Sequence, residues 1–389
     1  MTATSQLRNV FLCYNTQTDQ VFATWNDTSG VDFYPTYSIY SNNSWSVPSV
    51  IDTSVPLLGG DVFPCYNAIE NTIIATWGSD SGVPTYSIYS GGSWSVPASI
   101  APGSVAGLNV YTCFNNIQNQ VIALWAEVNN GGIPAYAIFN TGVWSAPLSI
   151  GTTGDADNVF PSYNSLTNEV FATWIDVQNN DYPTYSIYNG TTWSDPAVIA
   201  FTPAVGFALS LFSCYDSLHN QVFVAWANSP NSDPVYSIYS NGLWSSPAFI
   251  NIQPPAVNRD IYLTYQTLND KVFATWTDFF TSSPYYSIYA DTQSLLPPTH
   301  LVGKKKSNKF ATQTEWYNQL FWQPPATGFA PVSYRIYRDS LNTLISVVPA
   351  GKLLTFVDHN QKKSNPHIYY VVSVDANGNT STPAIIAIK

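Results

Sequence analysis

Short runs of apolar, aromatic and β-branched residues recur along the first 290 residues, and each run is bounded by Asn, Asp, Gly or Pro. In one stretch the runs are VFPCYN (62–67), TIIATW (72–77), PTYSIYS (84–90) and SWSVPASI (93–100). This composition is typical of β-strands joined by tight turns. Apolar side chains fall on both faces of each run, which indicates strands that are covered on both sides. The pattern predicts four short strands in this stretch.

A tryptophan that ends the second run returns every 48 to 52 residues, and its copies are Trp25, Trp77, Trp125, Trp174, Trp226 and Trp276. Pairs such as Gly91-Gly92 and Asn241-Gly242 separate the third and fourth runs, where a two-residue hairpin needs positive φ. Four antiparallel strands repeated six times predict an all-β fold, a six-bladed β-propeller of four-stranded blades over residues 1–295. The repeated tryptophans are then expected to pack between blades.

The sixth copy departs from this pattern after YYSIY (285–289), because Ser294 stands where the fifth copy has Trp244. Two ways of completing this blade remain open. Its fourth strand is either a degenerate local one within ADTQSLLPP or a short strand supplied by residues 2–7.

From Pro297 onward the pattern changes, and residues 296–389 form a second predicted domain. Trp322 is followed by two prolines, SYRIYRD follows, and YYVVSVDANGN comes late. These features resemble a fibronectin type III domain, whose sandwich strands alternate as Ile368, Tyr370 and Val372 do here. In that resemblance either Tyr369 or His367 occupies the position of the family's corner tyrosine. The resemblance implies a spacer or adhesion module and no catalysis.

Charge is unevenly divided between the two predicted domains. Through Gln293 the chain has three basic and twenty acidic residues, a net charge of −17, and the remainder carries +6. An acidic repeat domain would repel nucleic-acid phosphates, so we expect no nucleic-acid partner. No apolar run approaches the length of a membrane span. The cysteines Cys13, Cys65, Cys113 and Cys214 occupy one position in successive copies, which favours buried free thiols over disulfides.

The segment YSIYSGGSWSVP (86–97) has near copies in four other units, in each of which a turn that contains Gly or Asn leads to a tryptophan. It resembles the Asp-box (BNR) repeat of sialidase-like propellers, with the aspartate missing. The resemblance implies that this hairpin lies away from the functional face. It also implies three arginines that clamp a carboxylate, and the predicted propeller has only Arg8 and Arg259. Sialidase activity of the usual kind is therefore not expected, and no catalytic residue is assigned.

Candidate ligand-binding residues follow the second strand, on the face opposite those hairpins. A carboxylate or amide recurs just after the tryptophan in every copy, at Asp27, Asp80, Glu127, Asp176, Asn228 and Asp278. Loops leading into the first strands add Asp61, Asp155, Asp157, Arg259 and Asp260, and nearby aromatic residues are Phe33, Tyr34, Tyr182, Phe279 and Phe280. We expect an acidic ring on one face of the propeller.

Three interpretations of these acidic and amide residues remain open. They start turns by bonding their own backbone, or they bind sugar hydroxyls beside aromatic rings, or they hold a calcium ion. No other cofactor is expected.

Three functions remain open with them. Six similar blades favour multivalent binding over catalysis, and we expect a non-catalytic, lectin-like or adhesive propeller whose partner is a glycan or cell-surface ligand. A glycoside hydrolase using two of the carboxylates and a protein-interaction scaffold are the alternatives. We expect the protein to be secreted or displayed on a cell surface, although MTATSQLRNV lacks the pattern of a signal peptide.

Overall fold

The computed structural model divides the chain into two compact units, Met1–Ala290 and Asp291–Lys389. The residues that the structure describes are 9–27, 33–57, 60–106, 109–152, 154–156, 158–201, 211–228, 232–250, 261–267, 270–277, 283–290, 295–325, 331–351, 353–375, 378 and 380–389. Both units consist of antiparallel β-sheet, so the predicted all-β class is confirmed.

The first three sheets have five strands each. The first sheet contains β1 (Phe11–Asn15), β2 (Gln20–Asp27), β3 (Tyr34–Ser41), β4 (Ser44–Trp45) and β5 (Ser49–Val50). The second contains β6 (Phe63–Asn67), β7 (Thr72–Gly78), β8 (Pro84–Ser90), β9 (Ser93–Trp94) and β10 (Ala98–Ser99). The third contains β11 (Tyr111–Asn115), β12 (Gln120–Glu127), β13 (Ile133–Asn140), β14 (Val143–Trp144) and β15 (Leu148–Ser149).

The next three sheets repeat this plan with variation at the outer edge. The fourth contains β16 (Phe160–Asn164), β17 (Glu169–Asp176), β18 (Tyr182–Tyr188) and β19 (Ala197–Val198). The fifth contains β20 (Phe212–Asp216), β21 (Gln221–Asn228), β22 (Asp233–Ser240), β23 (Leu243–Trp244) and β24 (Ala248–Phe249). The sixth contains β25 (Tyr262–Gln266), β26 (Lys271–Thr277) and β27 (Pro284–Ala290). Two 3₁₀ turns, Val128–Asn130 and Val177–Asn179, follow β12 and β17. Both proposed sources of a sixth-sheet outer strand, residues 2–7 and 291–294, lie outside the described residues.

An Asx turn closes the hairpin between the first two strands of each of the first five sheets. In the first sheet the Asn15 side chain accepts hydrogen bonds from the backbone N–H groups of Gln17 and Thr18, at 2.9 and 3.1 Å. Asp19 then takes the left-handed conformation, with φ of 55°. Asn and Asp tolerate that conformation better than other residues with a Cβ. The Asn and Asp residues between the first and second runs therefore have a local structural role, because they form the turns.

The fourth run of the first five repeats is not the continuous strand that the sequence predicted. In the second sheet it is divided into β9 and β10, and Ser95–Pro97 leaves the ladder between them. The Ser95 hydroxyl accepts the backbone N–H of Ile88, at 3.0 Å. The backbone N–H of Ser95 donates to the Ile88 carbonyl at 2.8 Å. A side chain thus takes a ladder position, and Pro97 cannot donate to a ladder.

The sheets stack face against face in chain order, as the blades of a β-propeller do. The first strands of successive sheets contact one another from β1 through β25. The six predicted tryptophans are buried, and those of the second to sixth sheets lie in clusters shared with the preceding sheet. Trp174, for example, packs with Ile122, Leu124 and Ile150 of the preceding sheet. For these five tryptophans the prediction that they pack between sheets is confirmed.

The centre of this stack is filled by aromatic side chains. The first residue of each first strand contributes one ring, and the six are Phe11, Phe63, Tyr111, Phe160, Phe212 and Tyr262. Rings of next-but-one sheets touch, since the Phe63 and Phe160 centroids are 5.6 Å apart. The last ring also meets the first, with 5.6 Å between the centroids of Tyr262 and Phe11. The six first strands therefore converge on a solid aromatic centre.

The second unit is a sandwich of two sheets. One contains β28 (Thr299–Lys309), β29 (Thr314–Gln323) and β32 (Thr355–Gln361), in the order β28-β29-β32. The other contains β30 (Ser333–Arg338), β31 (Leu344–Pro349), β33 (His367–Val374) and β34 (Ala384–Ile388), in the order β31-β30-β33-β34. Trp322, Tyr334 and Tyr369 are buried between them. Burial raises the pKa of Tyr369, and the hydrogen bond that its hydroxyl donates to Asp358 raises it further.

Candidate ligand cleft

The loops at one end of the sheets are joined by a short crossing segment that precedes the first strand of the second, third and fourth sheets. Before the fourth sheet this segment is residues 154–156. The N–H of Ala156 donates to the carbonyl of Gly132 in the third sheet, and the N–H of Val177 in the fourth donates to the carbonyl of Asp155. These segments therefore connect the loops of neighbouring sheets. We call this the loop end of the unit.

Two of the predicted site carboxylates hold these crossing segments in place. Glu127, at the end of β12, accepts the backbone N–H of Val105 at 2.8 Å and the indole N–H of Trp125 at 3.0 Å. Asp176, at the end of β17, accepts the N–H of Asp155 at 3.3 Å. Asp and Glu at these positions therefore satisfy backbone donors that come from a distant part of the chain.

The second sheet makes the same contact without a carboxylate. Its crossing segment pairs Leu57 with Ser79, so that Ser79, and not Asp80, stands where Asp176 stands in the fourth sheet. The residue that would donate an N–H there is Pro56, which has none. Asp80 instead accepts the N–H of Ser81 at 2.8 Å, an interaction within its own turn.

The remaining predicted site residues divide between two groups. Asp27 and Asn228 end β2 and β21, and Tyr34 and Tyr182 begin β3 and β18. The Tyr182 ring meets the exposed ring of Phe201, with centroids 5.6 Å apart. Other predicted residues lie outside the described part of the chain, and these are Asp157, Arg259, Asp260, Asp278, Phe279 and Phe280.

A chain of polar side chains runs beside the aromatic centre at the loop end. Asn9 donates to Asp61 at 3.0 Å, and the backbone N–H of Asp61 donates to the Asn109 side chain at 2.8 Å. Asn109 in turn donates to Asn158 at 2.5 Å. The Tyr111 hydroxyl also donates to the buried carboxylate of Asp61, at 2.7 Å. Four successive sheets are thus linked through side chains that each stand two residues before a first strand.

An open cleft of about 570 Å³ lies at the loop end between the third and fourth sheets. We call it the ligand cleft. Its polar side chains are Asn109, Asn158, Asp155 and Gln178, and the lining also contains Ala106, Ala126, Val128, Gly131, Gly132 and Ala156. Amides offer both donors and acceptors, whereas a carboxylate offers acceptors. This lining suits a ligand that has several hydroxyl groups.

Two glycines without side chains form part of the wall of the ligand cleft. Gly131 and Gly132 both have positive φ, at 67° and 79°. A Cβ on Gly132 would lie 2.1 Å from the Asp155 carboxylate oxygen Oδ1. Glycine therefore allows the Asp155 side chain to lie directly against the loop that follows β12.

Sequence reasoning found Asp155 but missed the amides of the ligand cleft. The sequence contains a signal for two of them. Asn or Asp, then Val, then Phe or Tyr leads into the first strand in four repeats, as NVF (9–11), DVF (61–63), NVY (109–111) and NVF (158–160). Asn109 and Asn158 are not among the predicted residues, because the prediction followed the position after the second-strand tryptophan and the charged and aromatic residues of the loops. No aromatic side chain lines this cleft, so the described residues provide hydrogen bonds here and no stacking platform.

Comparison with known proteins found no matching family model and no matching curated protein. Among solved structures, the chain is similar to AofleA from Arthrobotrys oligospora, with 10% identity, a TM-score of 0.49 and coverage of 90% of this chain and 88% of that one. It is also similar to a six-bladed β-propeller lectin from Aleuria aurantia whose title describes fucose recognition, with 12% identity, a TM-score of 0.49 and coverage of 90% and 97%. A gluconolactonase from Xanthomonas campestris matches with 8% identity, a TM-score of 0.45 and coverage of 73% and 86%. Similarity at this level does not carry a function across to this chain.

A search of the described residues for a helix long and apolar enough to cross a membrane found none.

Proposed function

We propose that the first unit is a non-catalytic glycan-binding propeller and that a sugar occupies the ligand cleft. The observation that carries this proposal is the contrast between the centre and the cleft. Six aromatic rings fill the centre, where an enzyme of this shape would hold a deep pocket. The ligand cleft lies between two sheets and is lined by amides, a carboxylate and small residues.

The chemistry of the ligand cleft favours a hydroxyl-rich ligand. Asn109 and Asn158 lie side by side, and their hydrogen bond holds both amides in fixed orientations. The backbone of Asp155 is held by the hydrogen bond that its N–H donates to the Asp176 carboxylate, and the Asp155 carboxylate lies against Gly132. Polar groups fixed in this way orient a small ligand without being reordered on binding.

We further propose the finer architecture that the sequence predicted. Six sheets in chain order, with the sixth aromatic ring against the first, support a six-bladed ring. The three-stranded and four-stranded sheets of the second unit support a fibronectin type III-like sandwich. Such a module would present the propeller at a distance from its anchorage, in a secreted or surface-displayed protein.

A glycan array probed with the full chain, with calcium and with EDTA, tests the proposed function. We expect binding to a restricted set of glycans. Asp155→Ala and Asn158→Ala are expected to weaken that binding at least 10-fold, because each removes a hydrogen-bonding group from the ligand cleft. Asp195→Ala is the matched control, since Asp195 is exposed at the opposite end of the fourth sheet. It should leave binding unchanged.

Two results would contradict the proposal. The absence of any bound glycan would remove it, as would binding that the ligand-cleft variants leave intact. Hydrolysis of a panel of fluorogenic glycosides by the wild-type chain, abolished in Asp155→Ala, would replace it with the glycoside hydrolase alternative. Loss of binding in EDTA would add calcium to the site.

A further inference from the structure

At the end of the sheets opposite the ligand cleft, amide side chains link neighbouring sheets. We call this the hairpin end. Asn15 of the first sheet donates to Asn71 of the second at 2.9 Å, and Asn164 of the fourth donates to Asn220 of the fifth at 2.9 Å. Each donor side chain also anchors the Asx turn of its own hairpin. An amide is suited to both tasks because it offers an acceptor oxygen and a donor nitrogen.

The contact between the fifth and sixth sheets replaces both amides with carboxylates. Asp216 stands where Asn15 and Asn164 stand, and Asp270 stands where Asn71 and Asn220 stand. Asp216 still anchors its turn, accepting the N–H groups of Leu218 and His219 at 2.9 and 3.1 Å. Two facing carboxylates cannot bond to each other as two amides do, so a proton donor or a cation between them would relieve their repulsion.

His219 lies between these carboxylates and uses both of its ring nitrogens toward them. Nδ1 is 2.6 Å from Asp216 Oδ2, which is a short hydrogen bond, and Nε2 is 3.5 Å from Asp270 Oδ2. A nitrogen that donates to oxygen normally lies within about 3.2 Å of it. Two ligands bound at about 2.0–2.2 Å to one tetrahedral metal lie about 3.3–3.5 Å apart. The second separation therefore fits a shared metal better than a direct hydrogen bond.

The surroundings of the cluster also fit a metal site. The ligand atoms of Asp216, His219 and Asp270 lie within 4.8 Å of one another. The side chains of Asp216 and His219 are only 3% and 7% exposed, whereas that of Asp270 is 28% exposed and leaves the cluster open to solvent on one side. Tyr265 also contacts Asp270, with its hydroxyl 3.2 Å from Oδ1. The hydrogen bond from His219 Nδ1 to Asp216 is of the kind that metal-binding histidines commonly make to a carboxylate through their other ring nitrogen.

We propose that His219 Nε2 and the Asp270 carboxylate bind a divalent transition metal ion of the zinc type at the hairpin end, between the fifth and sixth sheets. Asp216 is a positioning residue, because it accepts the Nδ1 proton in a hydrogen bond and so fixes the tautomer in which Nε2 carries the lone pair that binds a metal. Water completes the tetrahedral coordination, entering from the exposed side of Asp270. The ion links the last sheet of the first unit to its neighbour, as the amide pairs link earlier sheets. This site is independent of the ligand cleft and of the proposed function.

The test uses the full chain freed of metal by EDTA and then dialysed. Titration with zinc chloride, followed by calorimetry and by metal analysis after gel filtration, should show one zinc per chain that depends on this cluster. The melting temperature should rise by about 3 °C or more at saturating zinc, because a ligand that binds only the folded state stabilises it.

Variants of the cluster residues show whether the bound zinc lies at this cluster. His219→Gln and Asp270→Asn should lose that zinc and its thermal shift, and Asp216→Asn should weaken binding about 10- to 100-fold. Glu70→Gln is the matched control, since Glu70 occupies the turn position of His219 in the second sheet. It should bind zinc as the wild type does. Circular dichroism of each metal-free variant establishes that it is folded.

Two outcomes would overturn the proposal. One is zinc binding and a thermal shift that persist in His219→Gln, which would place the metal at the exposed His359 or His367 pairs of the second unit. The other is a wild-type melting temperature that zinc does not change but that falls as the pH rises from 5.5 to 8. That result would assign the cluster to a bridging proton on His219.

Discussion

The contact between the third and fourth sheets differs from the seam between the sixth and first sheets, although the same repeated residues form both. At the first, the Tyr136 ring meets Trp193 with centroids 5.5 Å apart, and Tyr136 is 8% exposed. At the seam the corresponding residues are Tyr286 and Trp45, which are 72% and 40% exposed. Among the described residues these two rings form no contact with each other.

The same Tyr–Trp pair recurs at three other contacts between consecutive sheets. It joins Tyr37 to Trp94, Tyr86 to Trp144 and Tyr185 to Trp244, with centroids 5.3 to 5.5 Å apart. At the seam, the aromatic contact among the described residues is the one between Phe11 and Tyr262 of the two first strands. Leu12, one residue further along β1, is 61% exposed. A repeated residue therefore contributes to stability only where the neighbouring sheet supplies its partner.

The largest expected effect is a difference between two identical substitutions. Tyr136→Ala should lower the free energy of unfolding by about 3 kcal/mol, because it leaves a cavity between two packed sheets. Tyr286→Ala should lower it by less than about 0.5 kcal/mol, since that side chain lies mostly in solvent. Urea unfolding followed by tryptophan fluorescence measures both. Equal losses would mean that the seam closes in solution and that the two contacts are alike.

A smaller effect is expected at the loop end. Glu127→Ala removes the acceptor of the Val105 N–H and of the Trp125 indole, and should cost about 2 kcal/mol. Asp80→Ala serves as the control and should cost less than about 0.5 kcal/mol, because Asp80 is exposed and bonds within its own turn. Thermal or urea unfolding compares them. If Glu127→Ala proved neutral, its two hydrogen bonds would not hold the crossing segment.

Glycine substitutions separate backbone strain from the shape of the ligand cleft. Gly132→Ala and Gly91→Ala both place a side chain at positive φ and should each cost about 1 kcal/mol. Only at Gly132 does the added Cβ meet a neighbour, the Asp155 carboxylate, whereas Gly91 has nothing within 4 Å. Glycan binding should therefore fall in Gly132→Ala and stay unchanged in Gly91→Ala. Unchanged binding in both would separate Asp155 from the bound sugar.

The smallest effect on stability is expected from probing the two faces of β1 with thiol reagents. All four cysteines are free, and burial raises the pKa of each, that of Cys65 to about 12. A thiol with a raised pKa remains protonated and unreactive at pH 8. Native Cys13 should then react at least 100-fold more slowly than the same thiol in denaturant.

The variant Leu12→Cys places a thiol on the opposite face of the same strand, toward the seam. It should react within minutes in the native protein, because Leu12 is exposed. Slow labelling at position 12 would show that the sixth sheet covers this face.

The sequence predicted those parts of the fold that local residues determine. Strand positions followed from alternating composition and from Asx turns, and the buried tryptophans followed from their regular spacing. The role of Glu127 could not be predicted in this way, since its backbone partner Val105 lies 22 residues earlier in the chain. The sequence likewise does not reveal that Leu57 pairs with Ser79, a pairing that makes Asp80 a turn residue in the structure.

The candidate sites were predicted less completely, for a similar reason. Asp155 was recognised as a loop carboxylate, but the cleft around it is formed by amides from neighbouring repeats that become adjacent only in the folded chain. The four histidines are scattered along the sequence, so the sequence alone gives no signal for a cluster at His219. Its two carboxylate neighbours come from different sheets, and only the register of the hairpins brings them together.

The solid aromatic centre has a consequence for how such a chain can grow. Each repeat contributes a single ring to the axis, and six rings of Phe or Tyr size fill it. In the proposed six-bladed ring, duplication of one more repeat would widen the circle of first strands faster than a seventh ring could fill it, which would leave a void of the kind that lowers stability. Removal of a repeat would crowd the remaining rings. The size of the side chain at the first position of each first strand therefore favours six repeats, because a chain with one repeat more or fewer would fold with a void or with crowding at its centre.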